Sequence, residues 1–194
     1  MIKINRPSCP NPTALQGNYK YPINKAALIA ASFDKCMYCE SKISHVYFGD
    51  VEHIKPKGKF SELEFDWDNL GYVCSRCNSV KKDKYNEGNP IINPYNENPE
   101  DHIIALGAVI AVNNNSGKGK VTIQESTGVH LNRPGLIERR LEKIKNIEMI
   151  IDICSHLEES DYKISILSEL KKEGDNNKEY SMCVKYLLKA NGIN

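Results

Sequence analysis

Four of the seven cysteines come as two Cys-x-x-Cys pairs, Cys36/Cys39 and Cys74/Cys77. Two such pairs a few tens of residues apart can close a tetrahedral zinc site, because each pair spans one knuckle turn. An ion whose shell is filled by four thiolates is structural, not catalytic. The competing readings are disulfides or a thioredoxin-like redox motif. An odd cysteine count argues against a complete disulfide framework, and neither pair sits in a βαβ context. Cys154 and Cys183 lie in apolar, helical-looking surroundings and are expected in the core.

Between the pairs lies DVEHIKPKGKF, residues 50–60, which sets Glu52 beside His53 and follows them with Lys55, Lys57 and Lys59. Hydrolysis of a phosphodiester needs a base for water, a divalent cation on the phosphate and cationic side chains on the backbone. His53 suits the base, since an imidazole of pKa ~6.5 is usefully deprotonated at neutral pH. Glu52 and Asn78 offer the hard oxygen ligands that magnesium prefers, with manganese as the alternative. Lys81 and Lys82 stand three and four residues after Asn78, and a helix would put them on the same side to meet flanking phosphates. Lys55 and Lys57 are further candidates for phosphate contact. Asp50 reads as a turn residue after Gly49, and Trp67 as a core anchor.

In nested order, CMYCE…DVEHIKP…WDNL…CSRCNSVKK resembles an HNH endonuclease of the ββα-metal fold. The resemblance implies that His53 is the general base and Glu52 a metal ligand. It makes Asn69 the central asparagine that braces the loop between the strands. Asn78 stands where the last histidine is usual, giving His-Asn-Asn, and serves as the second ligand. Cys36, Cys39, Cys74 and Cys77 fall at the zinc positions. This motif covers about residues 36–84. A narrower likeness rests on RPSCPNPTAL, INPYNENPEDH and LNRPGLIERR, which look like the PtuB-type HNH effectors of Septu and retron-associated anti-phage systems. It implies DNA as substrate, an SMC/ABC-like ATPase (PtuA-type) as partner, and docking through the helical C-terminal half.

The elements that must position these residues are short. Asn24 opens an expected helix running to about Phe33. SHVYFGDVEH reads as two short strands around Gly49-Asp50. WDNLGYVC is a return segment, and a short helix begins near Ser75. Residues 86–101, with three prolines and five asparagines, form a connector. Short strands are expected in 103–124, interrupted by the turn NNNSGKGK. From Pro134 the period turns helical: Ile137, Leu141, Ile144, Ile147, Ile151 and Cys154 make one apolar face. Two more helices are expected near 161–173 and 177–190. The fold class is α+β, a zinc-stapled ββα-metal core with a short-stranded connector and a helical C-terminal region. The units are 1–35 (arm and helix), 36–88 (nuclease core), 89–130 (connector) and 131–194 (helical region).

The chain of 194 residues is 40% hydrophobic and 26% charged, as in ordinary globular proteins. A net charge of +1 excludes binding to nucleic acid through bulk charge alone. No apolar run reaches the ~20 residues of a membrane span, and the first residues lack a signal-peptide core, so a cytoplasmic protein is expected. The rival to a nuclease is a zinc-stapled nucleic-acid-binding adaptor that cuts nothing.

Overall fold

The computed structural model describes residues 1–45 and 47–193. Its N-terminal half is organised by one small hairpin. Strand β1 (Asp50–His53) runs antiparallel to β2 (Leu70–Val73), with Glu52 opposite Gly71 and His53 opposite Leu70. All four β2 residues are buried. Gly71 lets Met37 pack close, because a Cβ there would lie 2.2 Å from Met37 Sδ and displace that side chain. The helix α1 (Pro12–Leu15) is a single turn, and α2 (Pro22–Ala31) packs on β2. A short helix, α3 (Ser75–Lys81), follows β2 and crosses back to β1. This is the ββα arrangement that the motif order implied.

The expected hairpin across 44–53 is not formed. Only Asp50–His53 is strand, and its partner comes from seventeen or more residues downstream; Val46 lies outside the described residues. Nor does Asn24 cap α2. Pro22 starts it, and Asn24 is buried, clamping Asn11 by accepting from its N–H at 2.8 Å and donating to its carbonyl at 2.9 Å. That pair of bonds fastens the N-terminal arm, which also lies across Trp67 through an indole N–H bond to the Pro7 carbonyl at 2.7 Å.

A second hairpin, β3 (Ile103–Leu106) with β4 (Val109–Val112), turns at Gly107 with φ +59°. The strand expected after NNNSGKGK is instead a helix, α4 (Gly117–Ile123). Ser116 caps it by accepting from Gly119 N–H, and Thr122 turns its hydroxyl back to the Lys118 carbonyl while accepting from Ile92 N–H. The Ser116 cap fixes the start of the helix, and the bond from Ile92 ties it to the connector.

The C-terminal part is helical as expected: α5 (Pro134–Ser155), α6 (Asp161–Lys172) and α7 (Ser181–Ala190). The inward face of α5 is Leu136, Arg140, Ile144, Ile147 and Cys154, whereas Leu141 is exposed. Arg140 is tolerated inside because its guanidinium donates to the carbonyls of Leu131 at 2.7 Å and Ala108 at 3.3 Å. Ile147, Leu170, Val184 and Leu188 form a small core among the three helices, next to a larger one under both hairpins. Cys154 and Cys183 are buried. Among the described residues no helix is long and apolar enough to cross a membrane.

Candidate functional site

The four cysteines converge. Their Sγ atoms all lie within 4.8 Å of one another, and Cys39 Sγ is 3.9 Å from Cys74 Sγ. Four Zn–S bonds of about 2.3 Å in a tetrahedron put sulfurs about 3.8 Å apart, so the donor set fits zinc in type and spacing. None is in a disulfide, and Cys36, Cys39 and Cys77 are buried. Cys74 is the cap of α3, accepting from Cys77 N–H at 3.4 Å. Hydrogen bonds from the neighbouring thiols hold Cys39 and Cys74 below the ordinary thiol range, whereas burial pushes Cys36 up. Arg133, far along the chain, donates to Cys77 Sγ at 3.6 Å and to the carbonyls of His130 and Val129. Burial opposes its charge, but Cys77, Cys39 and Cys74 together raise its pKa further.

On the hairpin, His53 is mostly buried, and its Nε2 is 3.0 Å from the Glu64 carbonyl. A carbonyl only accepts, so Nε2 carries the proton and the neutral ring presents Nδ1 as its acceptor. Burial lowers the His53 pKa below the ordinary imidazole value, with the Glu64 carbonyl opposing and Lys57 adding to the fall. Asn69 is the brace: its Oδ1 accepts from Lys55 N–H at 2.7 Å, and its Nδ2 donates to the carbonyls of Lys55 at 3.0 Å and Leu63 at 3.2 Å. One side chain thereby fixes both ends of the loop that presents His53.

The carboxylates are arranged differently from the expectation. The amide of Asn78, on α3, donates to Asp50 Oδ2 at 3.1 Å and not to Glu52. Asp50, which the sequence reads as a turn residue, is the acid that meets Asn78 across the β1–α3 gap. Glu52 is instead bonded to Lys81, whose ammonium also donates to the His53 carbonyl at 2.8 Å. Lys81 is fully buried, so it offers no surface contact to a phosphate. The reason is helical period: Lys81 follows Cys77 by one turn and shares its inward face. Burial raises the Glu52 pKa, Lys81 only partly offsetting it and Asp50 adding to the rise. Lys82 is exposed but lies beyond the helix, with φ +49°. Lys55 and Lys57 are exposed; Lys57 pairs with Glu64 at 2.8 Å, and Lys55 sits 5.5 Å over the Phe60 ring.

A residue the motif does not contain completes the picture. Tyr19, from the N-terminal arm, lies edge-on against the His53 ring, with centroids 4.5 Å apart at 63°. Neither this contact nor the reach of Arg133 leaves a mark in local sequence, because both are made by chain segments remote from the motif.

Residues 36–84 match the family described as HNH endonuclease. The chain is also similar to Septu protein PtuB of Bacillus thuringiensis, with 31% identity over 153 residues, 77% of this chain and 58% of that protein. Septu protein PtuB of Bacillus mycoides (strain KBAB4) is 26% identical over 189 residues, 79% of this chain and 61% of that protein. The chain thus spans about three fifths of the length of these curated relatives. With the ββα order, the four-cysteine cluster and this match together, residues 36–84 are an HNH endonuclease domain, set in a chain that is similar to Septu protein PtuB over most of its own length.

Proposed function

We propose that this protein is a metal-dependent HNH endonuclease that hydrolyses DNA phosphodiester bonds, with zinc on Cys36, Cys39, Cys74 and Cys77 holding the nuclease unit. The observation that carries the reading is His53: its Nε2–H is committed to the Glu64 carbonyl, which leaves Nδ1 as the ring's proton acceptor. His53 Nδ1 takes a proton from water as the water oxygen bonds to phosphorus and the phosphorus–sugar oxygen bond breaks. Asn69 keeps that nitrogen in place through the loop. Asp50, Asn78 and Glu52 are the oxygen donors for a magnesium or manganese ion, and their chemistry fits one. When bound, the ion supplies positive charge for the phosphate and the leaving oxygen. Exposed Lys55, Lys57 and Lys82 are the residues for backbone contact; such contacts carry no base information, so sequence preference is weak.

The likeness to Septu proteins supports a role as the nuclease effector of an anti-phage defence system in the cytoplasm, beside an SMC/ABC-like ATPase of PtuA type. One observation favours the adaptor reading: Lys81 already neutralises Glu52, which weakens that carboxylate as a ligand. Zinc-loaded protein incubated with plasmid DNA and manganese, alone and with the ATPase, separates the two. Cutting that EDTA abolishes supports the nuclease; retention of DNA without cutting in both conditions supports the adaptor.

A further inference from the structure

Resting on the reading of His53 as the base, we propose that Tyr19 is a positioning residue of the nuclease site, its ring edge holding the His53 imidazole in the plane from which Nδ1 faces water. An imidazole on a strand has two side-chain torsions to fix, and the second is a broad, roughly two-fold well. The bond from Nε2 to the Glu64 carbonyl selects one ring orientation but is a single contact, and net hydrogen bonds of this kind are weak. A ring flip breaks that bond and turns Nδ1 inward. The Tyr19 ring, its centroid 4.5 Å from that of the imidazole and inclined at 63°, stands against that flip and adds the attraction of an edge-to-face aromatic pair.

Tyr19 is itself well held. It lies in the turn between α1 and α2, where Asn18 accepts from Lys20 N–H at 2.9 Å and Tyr21 N–H returns to the Asn18 carbonyl at 3.0 Å. The two helices flanking that turn are joined by the Asn11–Asn24 clamp. The arm is therefore a strut ending on the base, and not a loose extension. It lies outside residues 36–84, so the catalytic geometry depends on chain beyond the nuclease motif. The same ring carries two cations, Lys57 at 5.0 Å and Lys20 at 5.5 Å from its centroid. Those ammonium groups act on a bound backbone before and during reaction, so their release affects KM. Misorientation of the base affects kcat, and this is the effect at issue.

The test uses zinc-loaded full chain with Tyr19→Ala, Tyr19→Leu and Tyr19→Phe, each checked for zinc content and thermal midpoint. Tyr19→Ala and Tyr19→Leu are expected to lower kcat about tenfold or more, with KM changed by less than about fivefold, since small displacements of a reacting group cost rate steeply. Tyr19→Phe should restore most of the lost rate, because the ring edge does the positioning. Independently of cleavage, 15N spectra of histidine-labelled protein, with His53 assigned by its loss in His53→Ala, should show the Nε2–H tautomer in wild type. Tyr19→Ala should shift that resonance toward the averaged tautomers of a free imidazole. An unchanged tautomer in Tyr19→Ala overturns the proposal, whatever happens to the rate, as does failure of Phe to rescue. If wild type does not cut while the tautomer still depends on Tyr19, the contact stands and the nuclease reading fails.

Discussion

At the scale of single residues, the chemistry depends on which oxygen faces which nitrogen. The doublet Glu52-His53 is legible in the sequence because adjacency to the motif marks it. What adjacency cannot mark is partner choice across the β1–α3 gap. There Asp50 takes Asn78, while Glu52 takes Lys81. A carboxylate two residues ahead of Glu52 on the same strand projects to the same face, and that alternation was the available signal for Asp50. Asp50→Asn is expected to cut metal-dependent cleavage at least tenfold while leaving the thermal midpoint within a few degrees, because Asp50 is only half-buried. A manganese titration of the cleavage rate checks this; an unchanged half-saturating concentration would return the role to Glu52 alone.

At the scale of elements, the helix–hairpin contact is stapled by charge. Lys81 on α3 ties the Glu52 carboxylate and the His53 carbonyl of β1 inside the protein. Removing one member of such a pair strands a buried charge, whereas removing both does not. Lys81→Met should therefore destabilise the protein by about 3 kcal/mol, and adding Glu52→Gln should recover a good part of that loss. Denaturant unfolding of the two variants measures it, and equal destabilisation in single and double variants would show that the pair is not coupled. The short helix beginning near Ser75 was readable in the sequence, but not which face Lys81 occupies. Only the position of Cys77 in the four-cysteine cluster settles that. Elsewhere, strand period misled: 117–123 has β-branched residues, yet Ser116 supplies an N-cap that favours a helix. The hairpin around Gly49-Asp50 failed for the opposite reason, since the better partner, wholly buried β2, lies beyond a long loop.

For the whole molecule, the four-cysteine cluster is a joint as well as a staple. Its cysteines come from the HNH domain, but Arg133, immediately before α5, donates to Cys77 Sγ. Four thiolates on one divalent ion leave a net charge of −2, and a guanidinium at that sulfur offsets part of it. Arg133→Leu is expected to release zinc to a chelator about tenfold faster than wild type. Zinc removal should in turn expose the chain around residues 130–140 to protease. Equal release rates would mean that the contact is incidental to metal retention. The cysteine spacing announced the cluster in sequence, and the helical period announced α5. Their meeting was not legible, because it is made across 56 positions by a residue whose own stretch, LNRPGLIERR, carries nothing that points to the cysteines.

The central claim is that His53 is the base, and single-turnover cleavage of plasmid DNA by zinc-loaded wild type and His53→Ala, in manganese, tests it most directly. A rate at least a hundredfold lower in His53→Ala, with zinc content and thermal midpoint unchanged, is the predicted result. Equal rates in the two proteins would contradict the account, since the nitrogen that the Glu64 carbonyl and Asn69 hold in place would then do no chemistry.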